Sequence, residues 1–107
     1  MDLPGKIASE LEQARKAGAE GNDGKARVCA RRAVGRAFML SNYSAGFPPS
    51  FSATQSLKAV IELKDLPEAV RAAATRLSTS VAENSGLSIS MNPVEDAVII
   101  IHQLLGK

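Results

Sequence analysis

The stretch GNDGKARVCARRAVGRAF, residues 21–38, decides how the rest of this chain is arranged. Ala26, Ala30, Ala33 and Ala37 recur at i, i+4, i+7 and i+11, which at about 100° per residue puts all four on one helix face. Asn22 or Asp23 stands just ahead of them, with a short side-chain oxygen suited to capping the first free amides. Cys29 and Leu40 flank the row, while Arg27, Arg31, Arg32 and Arg36 fan over the opposite half and Lys25 sits at its start. A row of methyl groups lets a neighbouring helix come close, toward the short end of the roughly 8–10 Å interaxial range. The segment reads as a helix buried on its alanine side and wet on its arginine side.

The nearest partner for that buried side lies immediately upstream. Pro4 suits the first turn of a helix, and Ile7, Leu11, Ala14 and Ala17 follow at spacings of four and three, marking one apolar face. Glycines at 18 and 21 favour a helix end there, because glycine accepts the left-handed conformation without a side-chain clash. A connection of only a few residues then folds this first helix back on the second.

Downstream, SNYSAGFPPSFS at 41–52 breaks the helical period with Gly, Pro-Pro and serines and predicts a loop. Ser52 and Gln55 have the spacing of a reciprocal capping box, followed by Leu57, Val60, Ile61 and the stem of Lys64 on a short third helix. Asp65 and Glu68 repeat the device with Pro67 between them, and Val70, Ala73, Ala74, Leu77 and Val81 give a fourth helix its inner face. NSGLSISMN at 84–92 is turn-like, with Leu87, Ile89 and Met91 alternating as in a short extended piece. Asn92, Pro93 and Glu95 start a last helix that runs to Gly106. The expected fold is all-α, an up-and-down bundle of four or five helices forming one domain over residues 1–107.

The last helix holds Val98, Ile99, Ile100 and Ile101 in succession, more than one face can bury. Such a helix is either covered on several sides or shared with a second subunit, and in a chain of 107 residues the second arrangement, a homodimer, is favoured. Four β-branched residues in a row also suit a strand, which stays open as the minor alternative.

Composition removes several functional classes. Cys29 is the sole cysteine, so no intrachain disulfide forms, and a reducing compartment follows most simply. MDLPGKIASELEQ lacks the basic-then-apolar pattern of a signal peptide, and no apolar run approaches the roughly 20 residues of a spanning helix, so a cytoplasmic location is expected. Thirteen Lys and Arg against eleven Asp and Glu leave a net charge of +2, too small to argue for nucleic acid by itself. His102 is the only histidine, which leaves no histidine-based metal set, and no GxSxG elbow surrounds a serine. Glu95 and Asp96 point about 100° apart and suit the positive start of their helix better than an acid–base pair. Gly24-Lys25 is no P-loop: Ala19 stands where the motif needs glycine and Ala26 where it needs a hydroxyl. No cofactor or metal is implied.

Charge distribution says more than the total. Lys25, Arg27, Arg31, Arg32 and Arg36 fall within twelve residues, whereas residues 41–57 carry no charge. The five cations form a candidate surface for an anion or nucleic acid; the alternative is a solvated helix back. Tyr43, Phe47 and Phe51 could supply stacking beside them, or could close, with Phe38, the open end of an alanine-rich bundle.

AGAEGNDGKARVCARRAVGRAF at 17–38 and NPVEDAVIIIHQLL at 92–105, about a third of the chain, resemble the HEPN class of small helical domains. The resemblance implies a bundle of four or five helices, dimerisation, and a connection to nucleotides or RNA. Members of that class that cleave RNA carry an arginine separated from a histidine by four to six residues. Glu95, Asp96 and Ala97 occupy the corresponding places ahead of His102, so the resemblance implies a non-cleaving member. The expected function is a non-catalytic binding or interaction module for a protein or an anionic partner. Nucleotide or RNA binding through the same surface is the alternative.

Overall fold

Helix α1, Gly5–Ala19, turns back into α2, Asp23–Leu40, across three residues. The turn is built from backbone bonds: the Asn22 amide reaches back to the Ala17 carbonyl at 2.8 Å and the Gly21 amide to Gly18 at 3.1 Å. This six-to-one and five-to-two pairing needs a left-handed residue, and Gly21 supplies it at φ +79°. Asn22 then caps α2 at once, its Oδ1 accepting from the Lys25 amide at 3.1 Å. One helix stop and one helix start are thus fused into a single tight hairpin.

The computed structural model describes residues 3–45, 52–78 and 92–106. Within them the chain is an all-α bundle: α1 and α2 are followed by a single 3-10 turn at Asn42–Ser44, then α3 at Ala53–Glu62, α4 at Glu68–Ser78 and α5 at Pro93–Leu105. Residues 98–101 lie inside α5, which removes the strand alternative. Val81, Leu87, Ile89, Met91, Phe47 and Phe51 lie outside the described residues.

Capping residues set most of the helix starts. Ser52 and Gln55 form the reciprocal box on α3 at 3.2 and 2.9 Å, and Asn92 Oδ1 accepts from the Glu95 amide at 3.1 Å on α5. Helix α4 departs from the expected Asp65 start. It begins at Glu68, and the Pro67 carbonyl takes the amides of Val70 and Arg71 at 3.0 and 3.2 Å. The C-terminus of α2 has no basic residue in its last turn, and serine hydroxyls serve instead. Ser41 Oγ donates to the Phe38 carbonyl at 2.6 Å, and Ser44 Oγ to Met39 at 3.1 Å.

Helix α2 is the hub, packed against α1, α3 and α5 and touching α4. Its alanine row is fully inside: Ala30, Ala33 and Ala37 have no exposure and Ala26 almost none. Small side chains permit this many neighbours. Gly35 extends the logic to α3, since a Cβ there would stand 3.0 Å from Ala53 Cα. A mid-helix glycine costs about 1 kcal/mol relative to alanine, so this one marks a close helix approach. Phe38, Leu57, Leu77, Ile100 and Ile101 fill the larger spaces around α2.

Two expectations about α2 are corrected. Arg27 is buried at 8% exposure, because neighbours on several sides cover more of α2 than its alanine half. Leu40 is 61% exposed: it is the last residue of α2 and borders an open cleft beside Pro4 and Gly5.

A charged pair ties α4 to α5. Arg76 Nη2 donates to Asp96 Oδ1 at 2.8 Å, with the Asp96 side chain 9% exposed and that of Arg76 35%. The hydrogen bond that the guanidinium donates to Asp96 raises the Arg76 pKa above its ordinary value. Asp96, expected only to stabilise a helix start, is therefore also an inter-helix clamp. Replacing it by asparagine leaves a weaker neutral acceptor and should cost about 2 kcal/mol in urea unfolding. Ala33→Leu should destabilise by about 1–3 kcal/mol in the same measurement, because the fully buried Ala33 site has no room for the added isopropyl group.

Candidate functional site

Of the five cations gathered on α2, the fold separates two from the other three. Arg27 is buried, and Arg31 turns across the bundle so that its Nε donates to the Leu77 carbonyl at 2.8 Å. That carbonyl belongs to the last turn of α4, where backbone acceptors have no helical partner. Arg71 does the same for α3, with its Nε 3.1 Å from the Ile61 carbonyl. Lys25, Arg32 and Arg36 remain exposed.

These three share a row with apolar company. Lys25, Val28, Arg32, Arg36 and Leu40 follow one another at spacings of three and four, which aligns them along one side of α2 over about 22 Å. Val28 at 43% and Leu40 at 61% are the exposed large apolar residues among those described. The open row is thus cationic and apolar together, not a purely hydrated back.

At its C-terminal half the row borders a cleft of about 590 Å³, formed by the start of α1, α2 from Arg32 to Leu40, and Ala53 at the head of α3. Lys6, Arg32 and Arg36 supply three cations to its wall, and among the described residues no acid lines it. Ile7, Met39 and Leu40 give it an apolar side. The adjoining start of α1 has no side-chain cap and no acid in its first turn, so its partial positive charge has the same sign as the three side chains.

Lys6 was not among the expected cations. Its signal lay in the hairpin: it is as far before Gly21 as Arg36 is after, and equal distances from a tight turn bring residues abreast. Glycine 35 was also silent, since nothing local announces a helix crossing.

A second cleft, of about 560 Å³, lies between α1, the start of α2 and the start of α5. Arg15 faces it together with Asp23 and Glu95, so its wall has no single sign. The nearby helix starts are already served by Asn22 and Asn92.

The aromatic residues divide as well. Phe38 is wholly buried and Tyr43 is partly buried against the core, which suits closing the bundle end. His102 is exposed in the last turn of α5. Among the described residues no group of three or more His, Cys, Asp or Glu could hold a metal ion, and no helix is long and apolar enough to cross a membrane.

No family model, curated protein or solved structure matches this chain.

The two classes of arginine respond differently to loss. Arg31→Ala should lower stability by about 1–2 kcal/mol in thermal or urea unfolding, because the Leu77 carbonyl is left without its donor. Arg32→Ala and Arg36→Ala should stay within about 0.5 kcal/mol of the parent.

Proposed function

We propose that this chain is a non-catalytic helical binding module that takes an anionic partner on the open side of α2. The observation that carries this reading is the cleft wall itself, which Lys6, Arg32 and Arg36 line together with no acid among the described residues there. Surface arginines with a carboxylate nearby contribute little and need no ligand. Here the like charges repel one another, and an anion would relieve that repulsion while gaining charge-assisted hydrogen bonds. Val28 and Leu40 on the same row add apolar contact.

Nucleotide or RNA binding, which the HEPN resemblance implies, is a second reading of the same surface. It is supported by the same cations and weakened by the partly buried position of Tyr43, which limits stacking. Self-association through the last helix has less surface than the sequence promised. Ile100 and Ile101 are buried in the chain's own core, leaving the half-buried Val98 and Ile99 for a second copy.

The module reading expects fluorescently labelled polyglutamate to bind the protein with an affinity that falls steeply as salt rises. The double variant Arg32→Glu with Arg36→Glu should lose that binding at least tenfold with unchanged helicity by circular dichroism. Equal binding by parent and variant would overturn the proposed site. Single-stranded RNA bound tenfold tighter than polyglutamate at equal salt would favour the second reading.

A further inference from the structure

We infer that the cleft between the start of α1 and the second half of α2 binds a small anionic amphiphile: an oxyanion head, carboxylate or phosphate monoester, on a linear apolar tail. The inference rests on the reading of the α2 face as an anion site and adds the chemistry of the ligand. Arg32, Gly35, Arg36, Met39 and Leu40 line the cleft at helical spacing, one stripe about 12 Å long. The stripe is polarised. Its cationic residues, Arg32 and Arg36, occupy one end, and its apolar residues, Met39 and Leu40, lie a turn further along α2, with Ala53 set against Gly35. A simple anion would leave the apolar end wet, and a simple hydrocarbon would strand the cations against it; a molecule with both parts satisfies both ends.

Size favours a small molecule over a docked protein segment. At about 590 Å³ the cleft falls within the roughly 300–1,000 Å³ range of small-ligand sites, whose walls are mainly apolar with a few placed polar groups. Two forked guanidinium groups match the planar or tetrahedral oxygens of such a head, with Lys6 contributing a third charge from α1. Leu40, 61% exposed at the far end, is covered by the tail when the ligand binds.

The test is titration of the full chain with hexanoate, octanoate and decanoate below their aggregation concentrations, followed by amide chemical shifts in two-dimensional NMR. Shifts should centre on Lys6 and on residues 32–40, and affinity should rise about threefold for each added methylene. Octanoate and octyl phosphate are each expected to bind at least tenfold tighter than 1-octanol, and their ratio identifies the preferred head. Arg32→Gln with Arg36→Gln should remove the advantage over 1-octanol. Leu40→Ser, at an exposed position, should flatten the chain-length dependence and leave the head preference. No dependence on tail length would overturn the inference, as would equal binding of octanoate and 1-octanol. If polyglutamate still binds through Arg32 and Arg36 while the acids show no chain-length effect, the amphiphile fails and the anion site stands. If neither responds to the arginine variants, both fail.

Discussion

The structure depends on the contact made by the alanine face of α2. A helix in a small bundle normally buries one stripe and leaves the rest to water. Because Ala26, Ala30, Ala33 and Ala37 project only methyl groups, α2 accepts neighbours at close range and becomes the element that α1, α3 and α5 all pack against. Gly35 continues this on a second side, where Ala53 approaches to a distance that a Cβ would barely allow. With so little bulk on this face, larger residues on the outer helices, Leu57, Leu77, Ile100 and Ile101, join Phe38 of α2 in filling the core. Consecutive isoleucines on α5 are explained in part by this division, since two of them, Ile100 and Ile101, enter the core.

Crowding around α2 also governs its charges. Guanidinium groups near a covered side must find acceptors, and the ends of neighbouring helices offer unpaired carbonyls. Arg31 meets the last turn of α4, Arg71 meets that of α3, and Arg76 reaches Asp96 on α5. These three arginines add polar ties between helices that already share the apolar core. What is left exposed, Lys25, Arg32 and Arg36, lies on a side of α2 that none of the described helices covers, and there the start of α1 adds Lys6. The cleft lies where Pro4 and Gly5, at the head of α1, face the end of α2.

Much of the fold was legible in the residues. The hairpin follows from Gly21 and Asn22, the start of α3 from Ser52 and Gln55, and the start of α5 from Asn92 and Pro93, because each is a local bond between residues a few positions apart. The departure at α4, which starts at Glu68 rather than after Asp65, is a choice between neighbouring capping groups that local spacing leaves open. The candidate site was legible only in its chemistry. Five cations close together announced a positive surface, but Arg27 and Arg31 are alike in type and spacing to Arg32 and Arg36, and nothing in their neighbourhood separates the two pairs.

The sequence by itself determined the helices, most of their ends and the buried face of α2, since these obey periodicity and short-range hydrogen bonding. Tertiary structure alone decided which arginines are structural and which face water, and it alone brought Lys6, Arg36, Leu40 and Ala53 around one cleft. The physical reason is that helical periodicity fixes the direction of a side chain around its own axis. What meets it there is set by the packing of segments distant in the chain.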